Sequence, residues 1–383
     1  MVDNKENIEV KRYQNISKTY RGYTLLSPVG GKEVYLIDMD GKVVQTWKFH
    51  NEIGNYARLL PNSNLLFAVK ISKGPLDDLE GATGKIIEMD WNGKIIWEYE
   101  DPYMHHDFYR APDGKNILLR WVPTPKEFAT KIRGGLPGTE RAGIIWSDSL
   151  REIDSDGKIL WEWFAYDHLD PDMDIICPLC YRNDWTHATS LSVNADGDIL
   201  LSLMKTNNVV VVNKKTSNID WRWGGFLKLG HPHDALWLDR ENVMVLGCGG
   251  HIAATDVGES EILWINMRSN SIAWEFKEKN TCDFYSSCKA NFQRLANNNT
   301  LVSEGDTGRI FEIEDSREIV WEFISPFYNF SSIYGKQNMI FGAYRYGMNY
   351  EGLKGNPKIE EVQATLREGQ TAQDRFDSKG SLC

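Results

Sequence analysis

The sequence is short of several things, and each shortage excludes something. No apolar run approaches the ~20 residues that a bilayer-spanning helix needs, so no membrane partner is expected. Basic charge is in deficit: 43 Lys and Arg face 54 Asp and Glu, for a formal net charge of -11. A nucleic-acid partner is therefore not expected, because phosphates demand a basic face. Six cysteines in 383 residues do not build a disulfide scaffold. In a reducing compartment they are thiols, ligands or inert core residues. The opening run Met1-Val2-Asp3-Asn4-Lys5-Glu6-Asn7 lacks the apolar segment of a signal peptide. A cytoplasmic location is expected, or a periplasmic one if a leader has been removed. Helical periodicity is almost absent, and period-2 alternation takes its place.

What is present is aromatic and repetitive. Fourteen Trp and sixteen Tyr are a load that repeat β architectures often carry. One unit recurs in six copies: an apolar strand, a polar turn, and an apolar strand ending in Trp. The first copy starts at Val34, turns at Asp40-Gly41 and ends at Trp47. The second turns at Asn92-Gly93 and ends at Trp97; the third turns at Asp156-Gly157 and ends at Trp161. Later copies end at Trp221, Trp274 and Trp321. Asp-Gly and Asn-Gly tolerate the positive φ of tight hairpins. A second hairpin precedes each of the last five copies, with turns such as Pro112-Asp113-Gly114 and Ala195-Asp196-Gly197. Two hairpins make a four-stranded blade. The first copy has room for only about three strands before Trp47. The late run Met339 to Tyr346 supplies the fourth, which closes the ring and removes open edges.

The expected fold is all-β: a single six-bladed β-propeller of four-stranded antiparallel blades over residues 20–350, closed by a C-terminal strand. Residues 1–19 form an N-terminal extension and 351–383 a polar tail, expected to be ordered only in part from Gly355 onward. Two insertions break the repeat, Val122 to Asp148 and Ala165 to Asn183. Insertions of this kind map to one face, often the binding face.

Three histidines sit where strands begin. His106 precedes Asp107-Phe108-Tyr109-Arg110, His187 precedes an alternating run through Leu191-Ser192-Val193, and His233 precedes Asp234-Ala235-Leu236-Trp237. The first strand of each blade lines the central channel, and residues at its start ring one mouth. Three equivalent positions in three consecutive blades would bring the side chains together. The plainer alternative makes each a satisfied core residue or a turn cap.

On several of these residues the chain resembles the bacterial arylsulfate sulfotransferases, over about residues 50 to 350. The resemblance is carried by His105-His106-Asp107-Phe108, Asp184-Trp185-Thr186-His187, Pro232-His233-Asp234, Phe292-Gln293-Arg294-Leu295 with Gly308-Arg309-Ile310-Phe311-Glu312, and Ala343-Tyr344-Arg345-Tyr346. It implies a six-bladed propeller that moves a sulfuryl group between phenols, with no nucleotide sulfate donor and no cofactor. It makes His233 the residue that is transiently sulfated, with His187 and His106 as its partners. The chemistry is compatible. A neutral imidazole nitrogen can attack sulfur, and a second imidazole can carry the proton of the phenol. A cation or donor array must stabilise the developing charge. His105, Thr189, Lys205, Tyr344 and Arg345 are the candidates for substrate contact. His231, two residues before His233 on the same strand parity, competes with it for the covalent role. The expected partner is a small molecule, and a homo-oligomer stays open.

The chain also departs from the family pattern. Ser202-Leu203-Met204-Lys205 stands where the family has a Ser-Ser-Arg run. Met204 falls near the place of the Arg, while Lys205 is turned to the other face by alternation and lacks the bidentate fork. Thr189 replaces a common Asn, and Gly247-Cys248-Gly249-Gly250 replaces an Asp-Asn-Gly turn. Tyr344 and Arg345 are neighbours on one strand, so only one can face the channel. Two rival readings therefore remain. In one, the same channel serves another reaction with a metal held by His and Cys. Cys177-Pro178-Leu179-Cys180 has metal-knuckle spacing with His187 following, and Cys282 and Cys288 flank the channel end of blade 6. A zinc site normally shows four ligands, and no metal is assigned to the catalytic set. In the other, a non-catalytic propeller binds a partner through its loop face.

Overall fold

Each outer hairpin is closed by its own turn chemistry. Asp38, Asp90 and Asp154 each accept two backbone N–H groups of their turns at 2.8–3.0 Å, as short acidic side chains do in Asx turns. The computed structural model describes residues 15, 17–251, 258–280, 283–287, 289–331, 335–357 and 359–360. The hairpins pair there into six four-stranded antiparallel sheets arranged as a six-bladed β-propeller.

From the channel outward, blade 2 is Ile53–Leu59, Leu65–Lys70, Gly84–Met89 and Ile95–Glu100. Blade 3 is Met104–Arg110, Asn116–Pro123, Trp146–Ile153 and Ile159–Phe164. Blade 4 runs Ala188–Val193, Ile199–Leu203, Asn208–Val212, Ile219–Gly224, and blade 5 Pro232–Trp237, Asn242–Gly247, Glu261–Asn266, Ser271–Phe276. Blade 6 holds Ala290–Arg294, Thr300–Glu304, Arg309–Ile313 and Ile319–Ile324. Blade 1 takes its innermost strand, Ile340–Gly347, from the far end of the chain. That strand pairs with Gly22–Pro28 in the register Tyr23↔Tyr346 and Leu25↔Tyr344, followed by Glu33–Ile37 and Val43–Lys48. The ring closes as the sequence predicts.

Apolar residues of the two middle strands fill the gaps between blades, for example Leu200, Val209, Val243, Val245 and Leu263 between blades 4 and 5. Tryptophans lock the outer strands. The indole N–H of Trp47 donates to the Asp90 carbonyl, Trp97 to Ser155, Trp163 to Ser217, Trp221 to the Asn270 side chain, Trp274 to the Asp315 carbonyl and Trp321 to Met39. Each bond reaches the outer turn of the next blade, and the last returns to blade 1. In blade 3 Trp163 does this, not the expected Trp161. Both face the same way, two residues apart, and the deeper ring reaches the neighbouring turn.

The two insertions combine. Gly134–Leu136 of the first pairs in parallel with Ile176–Tyr181 of the second, in the register Gly134↔Ile176 and Leu136↔Tyr181. Arg182 fixes the junction by donating to Glu140 at 2.7 Å and to the Ile132 carbonyl at 3.2 Å. Past the ring, Leu353 and Ile359 pack into the core of blades 1 and 2. Among the described residues no helix is long and apolar enough to cross a membrane.

Candidate functional site

Irregular strand starts aim the histidines into the channel. The pairing of blade 3 breaks register between Met104 and Phe108, around His106. That of blade 5 breaks between Pro232 and Asp234, at His233. His106 and His187 have φ of 47° and 52°, in the left-handed region that only a constrained non-glycine residue adopts. Their rings meet: centroids lie 4.7 Å apart for His106 and His187 and 6.4 Å for His106 and His233. Phe341 of the closing strand packs 5.7 Å from His233.

The three converge, but not from equivalent positions. The Met204 N–H donates to the His187 carbonyl and the Cys248 N–H to that of His231, each at 3.2 Å. His187 therefore matches His231 in blade 5, and both have positive φ. The place of His233 in blade 4 is taken by Thr189, where that blade breaks register. His187 stands one pleat repeat further from its turn, on the same strand face. That is why it still joins the cluster.

Hydrogen bonds set the tautomer of His233 and the orientation of His187. His233 donates its Nδ1–H to the Ala290 carbonyl at 2.7 Å, which leaves the Nε2 lone pair free. Burial pulls its pKa down to about 4 against that hydrogen bond, so the ring is neutral at pH 7. Asp234 does not set this tautomer; its Oδ2 accepts the Phe292 N–H at 3.1 Å. His106 is held well below the usual imidazole range, first by burial and then by His187 and His105. His187 donates Nδ1–H to Asp184 Oδ2 at 2.6 Å. Burial pushes Asp184 up, but His187 and Lys205 outweigh it and keep the group a carboxylate.

The other candidates are mostly turned elsewhere. His105 stacks on Trp121 at 4.2 Å, with Nδ1 3.0 Å from His106 Nδ1 and Nε2 3.1 Å from Asp148 Oδ1. It backs His106 and does not face a cavity. Thr189 is buried between blades, bonded to Ser202 at 2.8 Å and to the Pro232 carbonyl at 3.1 Å. Lys205 lines the mouth, but its ammonium is spent on Asp184 and on the Tyr181 carbonyl. Arg345 points out of the channel. It donates to Thr24 at 2.6 Å and to the Tyr20 carbonyl at 2.8 Å, lies 3.3 Å from Glu312 and stacks on Trp321 at 4.3 Å. Its neighbour Tyr344 packs under the Arg58 guanidinium at 3.7 Å, and Arg58 lies 3.5 Å from Asp107.

A cavity of about 610 Å³ opens beside this cluster, lined among others by His187, Lys205, Glu80, His231 and His251; His106 and His233 are buried behind His187 and do not line it. Lys289 and Glu80, which no sequence motif marks, bond across the mouth at 2.8 Å. The charge of Lys289 bears on both His106 and His233. Only the blade 6 register could have flagged it. On one wall of the cavity, ligand atoms of Cys177, Cys180, His231 and His251 all lie within 4.8 Å of one another. The cysteine knuckle thus meets His231 and His251, not His187. His251 follows the Gly249-Gly250 turn, which departs from the family pattern. A hydrogen bond between the thiols lowers Cys177 and raises Cys180. Cys282 and Cys288 lie outside the described residues.

Residues 14–239, more than half of the chain, match the model of the family Arylsulfotransferase (ASST). No curated protein matches the chain. Among solved structures, a protein of unknown function from Bacteroides caccae is 13% identical with a TM-score of 0.53, covering 84% of this chain and 98% of that one. A virginiamycin B lyase from Staphylococcus aureus is 13% identical with a TM-score of 0.45, covering 82% and 88%. At such identities the likeness is one of fold alone.

Proposed function

Because the chain belongs to the arylsulfotransferase family, we propose that it is a nucleotide-independent sulfotransferase working through a sulfated histidine. It would move a sulfuryl group from an aryl sulfate to a phenolic or related acceptor. The observation that carries this reading is the meeting of His106, His187 and His233 beneath one mouth, with a different hydrogen-bond partner behind each ring.

His233 is the nucleophile. Its Nε2 lone pair attacks sulfur, the bond from sulfur to the aryl oxygen breaks, and the leaving phenolate takes a proton from His187. In the second half the acceptor phenol returns a proton to His187, its oxygen attacks sulfur, and the N–S bond breaks to regenerate neutral His233. His187 enters the first half as the imidazolium and is returned to it by the acceptor phenol, and Asp184 stabilises that form, as a buried carboxylate does for a histidine acid–base. His106, neutral and lying between the two, offers a hydrogen bond to the sulfuryl oxygens. Lys289, whose charge bears on both His106 and His233, supplies the cation. The cavity is in the size range of small-molecule sites and takes the aryl ring.

The test is turnover of a chromogenic aryl sulfate with and without a phenol acceptor. His233→Ala should lower it by at least about 10³-fold while melting stays nearly unchanged. Undiminished turnover in that variant would refute the assignment.

A further inference from the structure

We propose that Cys177, Cys180, His231 and His251 bind one zinc ion that clamps the paired insertions onto blade 5 beside the channel mouth. The four residues come from three segments: the insertion strand Ile176–Tyr181, the entry to the inner strand Pro232–Trp237, and the turn after Asn242–Gly247. Their potential ligand atoms nevertheless share one small volume. Cys177 Sγ lies 3.4 Å from His251 Nδ1, Cys180 Sγ 3.6 Å from the same nitrogen, and Cys180 Sγ 3.5 Å from His231 Nε2. A tetrahedron with zinc–sulfur bonds near 2.3 Å and zinc–nitrogen bonds near 2.0 Å has edges of about 3.3–3.8 Å. The observed separations match that polyhedron.

The donor set selects the metal. Two thiolates and two imidazoles suit zinc, whereas calcium and magnesium require oxygen ligands. The backbone is shaped to deliver the rings. His231 and His251 both have left-handed φ, 43° and 57°. At Gly249, with φ of 72°, a β-carbon would meet the Glu259 carbonyl oxygen at 1.9 Å. The turn can therefore press this close only with glycine there. Cys177 and Cys180 are buried while His251 is exposed, so three ligands are preset and the fourth closes over the ion.

Four protein ligands leave no open position, which marks a structural rather than a catalytic zinc. Binding would release thiol protons. It would tie the insertion strand that carries Tyr181 to blade 5, and Tyr181 holds Lys205. It would also occupy His231 Nε2, removing that ring from competition with His233. This site is separate from the three histidines of the proposed transfer reaction.

Elemental analysis of the full chain, purified without chelator from zinc-supplemented growth, should give about one zinc per chain. Cobalt exchanged into the site should show the intense ligand-field bands of a tetrahedral, thiolate-bound ion. Cys177→Ser with Cys180→Ser should abolish zinc retention. His251→Ala changes only an exposed side chain, so it should fold normally while zinc affinity, read against a chromophoric chelator, falls at least about 100-fold. His233→Ala should keep its zinc, which separates this claim from the transfer reaction. A native protein that takes up no zinc, an octahedral cobalt spectrum, or unchanged affinity in His251→Ala would each overturn the site.

Discussion

Gly81 lies against the ring of His106: a β-carbon built there would meet His106 Cε1 at 2.0 Å. Its φ of 83° also disfavours any side chain. Gly81→Ala should therefore push His106 from its place and lower aryl sulfate turnover about 10²-fold, the usual cost of misplacing a reacting group by about 1 Å. Unchanged turnover would mean that His106 has no part in the reaction. Asp234 gives a prediction of the opposite kind. Burial raises its pKa from 3.8 to about 7, so the fold prefers the protonated acid. As pH rises from 4 to 7 the unfolded chain gives up this proton first, and folding stability falls through that window. Asp234→Asn keeps an acceptor for the Phe292 N–H and removes the charge. Its stability relative to the parent should be unchanged near pH 4 and rise to a plateau above pH 7, by at most about 4 kcal/mol. Thermal melts across that range check the sign; a variant less stable at pH 8 would contradict it. The three histidines were legible because each precedes a strand and a turn in plain sequence. The one-repeat offset of His187 shows when residues are counted back from each turn, but the breaks in register do not. Lys289 carries no local signal, and its meeting with Glu80 depends on ring closure.

The closing strand shows how an element can take a residue away from the chemistry expected of it. Arg345 was a substrate-binding candidate, yet it is fully buried against Glu312, and the side chains of both are inaccessible. Breaking a buried ion pair by removing one partner costs about 3–5 kcal/mol. Arg345→Met should thus lower the melting temperature sharply and expose the join between blades 1 and 6. A residue that only met substrate would leave melting alone and raise KM instead, and that result would place Arg345 at the substrate. The direction of Arg345 was undecidable from sequence. Alternation says only that it and Tyr344 oppose each other, and the partner Glu312 belongs to another blade. The hairpins and their order were legible because period-2 patterning and Asp-Gly turns are local. The parallel pairing of Gly134–Leu136 with Ile176–Tyr181 was not, since two short runs forty residues apart give no periodic signal.

Across the whole molecule, a ring of tryptophan-to-turn hydrogen bonds holds six blades around a channel, and the paired insertions build up one mouth of it. Histidines from three consecutive blades meet beneath that mouth, and each has the partner its proposed role requires: a carbonyl for the nucleophile, a carboxylate for the acid–base, a second imidazole for the ring between them. That division of labour is the central claim, and the covalent intermediate tests it most directly. The full-length protein would be mixed with an aryl sulfate and no acceptor, quenched, digested and mapped by mass spectrometry. The account predicts a gain of about 80 Da, one sulfuryl group, on the peptide containing His233, discharged when phenol is added and absent in His233→Ala. An adduct on His187 or His231, or aryl sulfate turnover with no adduct on the protein, would contradict it.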